Sequence, residues 1–239
     1  MHLYTDNLDH LPDCGAPMAF DRGRVWIVLG SGIGAATAYR SLMLDLAHAG
    51  TRPLVATCNA GIHVEPAPTV YWLTDPVAAD LYRDGAVTAR DHAARVLTSI
   101  HTLKHAPWMA RVATDLLMYD SQWHKSWIPG RLCNGRTSGG FLVQLAAMSG
   151  ASTVHLVGMA GYRSAPGKLV RDYDDGRKGL AMHDRTMNYY GPLLQSVMDQ
   201  TPAVRFVFHG QPNYPWRGGN VEIRQDAPAE QGAQQPCPR

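Results

Sequence analysis

Apolar and polar positions fall in blocks along this chain, and the blocks alternate between strand and helix periods. Arg24-Val-Trp-Ile-Val-Leu-Gly30 is a continuous apolar run, the pattern of a central parallel strand buried on both faces. It breaks at Gly30-Ser-Gly-Ile-Gly34 into a helical segment through about His48, which Gly50 stops. Pro53-Leu-Val-Ala-Thr-Cys58 is the next strand and reaches Asn59-Ala-Gly61. These pieces make a βαβ unit with a glycine-rich first turn. Val70-Tyr-Trp-Leu-Thr74 is a third strand, Asp75-Pro76 opens a helix over roughly 77–84, and Arg95-Val-Leu-Thr-Ser-Ile100 is a candidate fourth strand. Residues 101–135 show no clean period, although Trp108, Trp123 and Trp127 point to packing.

The most strongly patterned stretch runs from Arg136 to Tyr162. Thr137 or Ser138 can cap a helix. Phe141, Leu145 and Met148 repeat at helical spacing, with Leu142 and Ala146 widening the stripe. Gly150 ends that helix, and Thr153-Val-His-Leu-Val-Gly158 is a short buried strand with a turn at its carboxyl end. Residues 163–179 are polar and glycine-punctuated, as in long surface loops used as lids. A helix from about Met182 to Gln200 and a strand Ala203-Val-Arg-Phe-Val-Phe-His209 follow.

Alternating strands and helices predict an α/β fold, Rossmann-like, with a doubly wound, mostly parallel sheet. The expected organisation is an irregular lead-in over 1–22, a single nucleotide-binding domain over 23–224 and a disordered tail over 225–239.

Composition narrows the function classes. With 22 Lys and Arg against 20 Asp and Glu, the net charge of +2 carries no clear nucleic-acid signal. Cys14, Cys58, Cys133 and Cys237 form no CxxC pair and read as free thiols. The polar start is not a signal peptide, and no run of about 18 apolar residues argues for a membrane span. The expected location is the cytoplasm.

Candidate chemistry concentrates at strand ends. Gly30, Ser31 and Gly32 follow a strand and open a helix, which suits either a phosphate or nucleotide site or a plain tight βα turn. The second strand ends in Cys58-Asn59, where an NAD-binding chain offers Asp or Glu, so NAD is disfavoured. Asn59 and Asp75 fit either nucleotide contacts or ordinary turn chemistry. Of the 11 histidines, His183 lies near a helix start beyond the lid and suits a general base or a structural role. His155 reads as core or second shell, and His63, His101 and His209 have no partner evident in the sequence. Asp172, Asp174 and Asp175 read as a solvated charge run, and no pattern argues for a metal. A nucleophile elbow and a Walker A loop are both missing.

Four segments together resemble a known family: Gly30-Ser-Gly-Ile-Gly34, Cys58-Asn-Ala60, Val70-Tyr-Trp-Leu-Thr-Asp-Pro76, and the stretch from Thr137-Ser-Gly through Val154-His-Leu-Val-Gly-Met to Tyr162. In that order they resemble the motility-accessory-factor and 6-hydroxymethylpterin-diphosphokinase-like family, which is related to bacterial lipooligosaccharide sialyltransferases. The resemblance implies a metal-independent glycosyltransferase using a CMP-type sugar donor and a hydroxyl acceptor, with no resident cofactor. It implies nucleotide contacts from Ser31, Gly32, Asn59, Thr137, Ser138 and Gly139. It also implies Tyr162 as leaving-phosphate stabiliser and His183 as base. Ser31 and Ala160 differ from the family's usual asparagine and acidic residue. Two other expectations stay open: a magnesium- and ATP-dependent pyrophosphokinase acting on a hydroxymethyl group, and a non-catalytic nucleotide-binding or assembly protein. The oligomeric state is not readable.

Overall fold

The computed structural model describes residues 2–4, 20, 23–30, 32, 34–117, 119–135, 137–159, 163–165, 168–169, 184–210 and 214–224. A strand β1 (His2–Tyr4) precedes β2 (Val25–Leu29), α1 (Ala35–His48) and β3 (Leu54–Cys58). A 3-10 turn at Asn59–His63 leads to β4 (Val70–Leu73), α2 (Pro76–Leu81), α3 (Arg83–Asp91) and β5 (Arg95–Thr98). Short helices α4 (Ile100–His105) and α5 (Met109–Val112) come before β6 (Asp115–Leu117), and small strands β7 (Asp120–Trp123) and β8 (Cys133–Asn134) after it. Then come α6 (Ser138–Met148), β9 (Thr153–Val157), β10 (Arg163–Ala165) and β11 (Lys168–Leu169). The described chain ends with α7 (Asp184–Gln200), β12 (Arg205–His209) and β13 (Val221–Arg224).

Nine strands form one sheet in the order β1-β6-β5-β4-β3-β2-β9-β12-β13. Every pairing in it is parallel. The layout is α/β and doubly wound, as the alternation predicts. Strand order reverses between β2 and β9, so the topological switch point lies at their carboxyl ends.

Both sheet faces are covered, which explains why β2, β4 and β9 are apolar without alternation. On one face Trp26, Val28, Trp72, Leu156 and Phe206 pack against Phe141, Leu142 and Leu194 of α6 and α7. On the other, Ile27, Leu29, Val55 and Val157 meet Ala35, Tyr39 and Leu42 of α1. Farther along that face, Tyr71, Leu73 and Val96 meet Ala78, Ala79, Ala86 and Ala89 of α2 and α3. Alanine at these contacts lets the two short helices lie close to the sheet.

Several expectations change. The apolar stripe on α6 is too narrow a description, because every residue from Gly139 to Ala147 is buried between the sheet and α7. Its cap is Thr137, whose Oγ1 accepts from the Gly140 amide at 3.1 Å. The lead-in contains β1, which pairs with β6 through His2↔Asp115. The helix expected over 77–84 ends at Leu81, and α3 follows it almost at once. The loop expected over 163–179 includes the antiparallel pair β10–β11, its remaining residues lying outside those described. The tail over 225–239 also lies outside them. Gly150 ends α6 at φ 70°, as expected.

At the amino edge of the sheet, Arg95 binds buried Asp115 through two hydrogen bonds of 3.1 and 2.7 Å. The carboxyl edge is the functional side of such sheets, so this pair is structural. His209 does have a partner: its Nε2 lies 3.0 Å from His155 Nδ1, with both rings buried. Burial first, then His209, Arg224 and Arg205, push His155 down to about 4, with Glu222 opposing them.

The fold therefore keeps His155 neutral while the unfolded chain protonates it near 6.5. Its contribution to stability is complete above that pH and is lost as pH falls toward 4, at up to about 1.4 kcal/mol per pH unit. The melting temperature is expected to drop across that window and to drop less in His155→Gln; equal slopes in the two proteins would contradict the assignment.

Candidate functional site

The site begins where two strand exits press together. A Cβ on Gly30 would stand 2.6 Å from the Gly158 carbonyl oxygen, and one on Gly32 would stand 2.8 Å from it. Gly158, at φ 65°, could not carry a Cβ without one 2.7 Å from that of Ala35. The Gly32 amide donates to the Gly158 carbonyl at 3.1 Å, and the Gly30 amide to Val157 at 2.8 Å. These glycines thus hold the exits of β2 and β9 together, and the Gly32 N–H already has a protein acceptor.

Met159, the next residue, joins this contact to α6. Its Sδ would lie 3.1 Å from a Cβ on Gly30 and 2.6 Å from one on Gly139. Its carbonyl accepts from the Tyr190 hydroxyl of α7 at 2.9 Å. The α6 N-terminus is held from its other side by Gln144, which is fully buried. Gln144 accepts from the Cys133 amide at 2.7 Å and donates to the Cys133 carbonyl at 2.9 Å. A side-chain amide here replaces a missing strand partner for β8. The two walls expected from the sequence, the glycine turn and the Thr137-Ser138-Gly139 turn, therefore meet at Met159. Thr137 is buried and Ser138 is half-buried at the first helical position.

At the β3 exit the backbone turns sharply. Asn59 has φ 48°, a left-handed conformation for a non-glycine residue. Its carbonyl accepts from the Tyr71 hydroxyl at 3.1 Å, whereas its side-chain Oδ1 is buried with no hydrogen-bond partner among the described residues. A buried orphan acceptor on strained backbone is the kind of feature that binding sites retain. The neighbouring Cys58 thiol is pushed up to about 12 by burial, so it is no nucleophile.

Farther along the same edge, hydroxyls hold the last carbonyls of adjacent strands. Thr57 donates to Leu29 at 3.0 Å, Thr98 to Leu73 at 2.8 Å, and Thr102 to Thr74 at 2.5 Å. Asp75 caps α2, accepting from Val77 at 2.9 Å and Ala78 at 3.4 Å. Turn chemistry therefore accounts for its place in the sequence. The Tyr119 phenol, after β6, is raised by burial and by the Asp75 charge, while a hydrogen bond with Ser99 works against them.

Of the sequence-predicted residues, Gly30, Gly32, Asn59, Asp75, Thr137, Ser138 and Gly139 all lie along the carboxyl edge. Ser31, Tyr162 and His183 lie outside the described residues, and α7 begins one residue after His183. Tyr119, Ser99 and Met159 were missed. Among the described residues no three His, Cys, Asp or Glu side chains gather as metal ligands, and no helix is long and apolar enough to cross a membrane.

A doubly wound, parallel α/β fold whose strand exits pack together at the switch point is the class these features define. No protein-family model matches the chain, and no curated protein does. Among solved structures it is similar to the MAf glycosyltransferase from Magnetospirillum magneticum AMB-1, at 14% identity and a TM-score of 0.53. The match covers 86% of this chain but 34% of that protein, so the chain spans about a third of its length. At this identity the likeness establishes a glycosyltransferase-like fold.

The close contact at the switch point is open to direct measurement. Gly30→Ala is expected to cost about 1–3 kcal/mol by overpacking, and Gly158→Ala about 1 kcal/mol more for its left-handed backbone. Gly34→Ala, at φ 78° with nothing within 4 Å, should cost only that backbone strain. Urea denaturation that ranks all three variants alike would refute the contact.

Proposed function

We propose that the chain is a nucleotide-dependent transferase, and more specifically a glycosyltransferase using a CMP-type sugar donor without a metal. One observation carries the reading: the buried, unpartnered Asn59 Oδ1 beside the switch point, on a backbone strained to place it there. An amino or hydroxyl group of a nucleoside is a natural donor to that oxygen. The α6 N-terminus at Thr137-Ser138-Gly139 supplies a positive dipole end on the same edge, suited to the donor's phosphate. The glycosyltransferase-like fold agrees with this at the coarse level.

The reaction is a direct displacement. The acceptor hydroxyl oxygen attacks the anomeric carbon, the bond from that carbon to the phosphate oxygen breaks, and the nucleotide leaves. His183 takes the acceptor's proton and Tyr162 donates a hydrogen bond to the departing phosphate, roles that the family resemblance assigns to these positions.

Thermal-shift screening against CMP, UDP, GDP, ATP with magnesium, and CMP-N-acetylneuraminate tests the donor. Cytidine nucleotides are expected to raise the melting temperature most. Asn59→Gly keeps the left-handed backbone and removes the carboxamide, and should weaken CMP roughly tenfold. A shift confined to ATP with magnesium would replace this reading with pyrophosphoryl transfer. His183→Ala should lower turnover by about 10²–10⁴-fold; unchanged turnover at saturating donor removes it as base.

A further inference from the structure

We infer that Trp216 is a ligand-binding residue, its indole N–H donating to the oxygen of an uncharged acyl or amide group near the carboxyl end of β12. Among the described residues two buried side-chain polar atoms lack a hydrogen-bond partner, Asn59 Oδ1 and Trp216 Nε1. The first can only accept and the second can only donate. They lie on opposite sides of the switch point, one at the β3 exit and the other against Phe208 of β12. In the order β3-β2-β9-β12, with about 4.8 Å between strands, these two strands stand about 14 Å apart. Trp216 is therefore a second point of contact, separate from Asn59.

The local fold fixes the indole from several directions. Residues 214–220 run from the carboxyl end of β12 back along α7 to the start of β13, without a helix. Asn220 ties the far end by donating to the carbonyls of Met198, Thr201 and Val204 at 3.0, 3.2 and 3.0 Å. Gln195 of α7 holds the middle through the Arg217 carbonyl and amide, at 2.8 and 3.1 Å. At the near end the Tyr214 ring lies on α7 where Gly191 leaves room; a Cβ there would stand 2.1 Å from that ring. Between these anchors Trp216 stacks on Phe208 at 4.9 Å and 18°, with Tyr214 at 4.6 Å and Tyr190 edge-on at 6.0 Å. Tyr190 is the residue whose hydroxyl reaches the Met159 carbonyl, so the cluster is joined to the switch point.

Trp216 is 8% exposed. A donor withdrawn from water and left unpaired is a net cost to the fold, and a phenylalanine would stack on Phe208 without it. An acceptor supplied by a ligand removes that cost. The surrounding rings decide which acceptor. A phosphate or carboxylate against Phe208, Tyr190 and Tyr214 would bury its charge beside one neutral donor, which is strongly unfavourable. A carbonyl oxygen is satisfied by one donor, and the methyl of an acetyl group suits aromatic walls. On the transferase reading, on which this role rests, the acyl group belongs to the sugar lying on the β12 side of the switch point.

Proton–nitrogen NMR of the indole groups reads the Trp216 N–H directly, its resonance assigned through the neighbouring Phe208 ring. The probes are the methyl glycosides of N-acetylglucosamine and N-acetylgalactosamine, the parent glucoside and galactoside, N-acetylglycine methylamide, acetate and inorganic phosphate. Each is titrated with and without saturating CMP. At least one N-acetylated glycoside is expected to move the Trp216 resonance downfield, while its parent glycoside leaves it in place. Trp216→Phe should bind that glycoside roughly 3–10-fold more weakly, and Gly191→Ala, which displaces Tyr214, should weaken it as well. A response to the methylamide alone supports the acyl site and places the acyl group on a peptide.

Three results overturn the inference: no acylated probe moves the Trp216 resonance, acetate or phosphate moves it as far, or Trp216→Phe binds the acylated probe normally. A protein whose Trp216 answers acylated probes yet which ignores every nucleotide refutes the transferase reading and leaves this site standing.

Discussion

The contact between the exits of β2 and β9 is the constraint on which the carboxyl edge depends. Two neighbouring parallel strands normally diverge once their ladder ends. Here Gly30, Gly32 and Gly158 let the exits stay in backbone contact for one further turn, sealed by the Gly32 amide on the Gly158 carbonyl. That contact sets the position of Met159, and Met159 with Gly139 sets how close α6 can come. The N-terminus of a helix buried from Gly139 to Ala147 therefore arrives at the switch point by steric fit rather than by loop geometry. A side chain at any of these glycines would push the two walls apart.

Away from the switch point the edge is held differently. Thr57, Thr98 and Thr102 each donate a hydroxyl to a carbonyl at the end of a neighbouring strand. Carbonyls that have run out of ladder would otherwise be buried without partners, at a cost of about 1–3 kcal/mol each. These hydroxyls remove that penalty at the ends of β2 and β4, so that Asn59 Oδ1, unsatisfied among the described residues, stands out in the same row. At the amino edge Thr69 accepts from the Val55 amide and Thr114 donates to the Val96 carbonyl, and the ion pair of Arg95 with Asp115 adds a charged tie. The two ends of the sheet thus differ in what they add to these hydroxyls, an ion pair at one and a helix terminus at the other.

Legibility in the sequence followed the range of the interactions involved. The strands β2, β3, β4 and β9 were readable because burial on both faces leaves a continuous apolar run. The α6 cap and its Gly150 terminator were readable because both act within a few residues. The segment 101–135 was not, since α4, α5, β6, β7 and β8 are each too short to set a period and are stabilised by contacts with distant parts of the chain. Tyr119 lies in that segment between Met118 and Asp120, and its ring contact with Phe141 comes from a distant part of the chain. The glycine turn was found, but its strand-to-strand contact was not, because a fingerprint says nothing of what presses on a glycine from another strand.

The resemblance in fold, at 14% identity, fits this division of labour. A switch point is set by strand order, so a likeness in fold carries it even where few residues are shared. The side chains that select a ligand sit on strand exits that the fold tolerates in many forms. Substitution at the glycines is therefore felt first as lost stability. Substitution at Asn59 removes hydrogen-bonding chemistry rather than room for the backbone, so on the proposed function it is felt first as altered ligand binding.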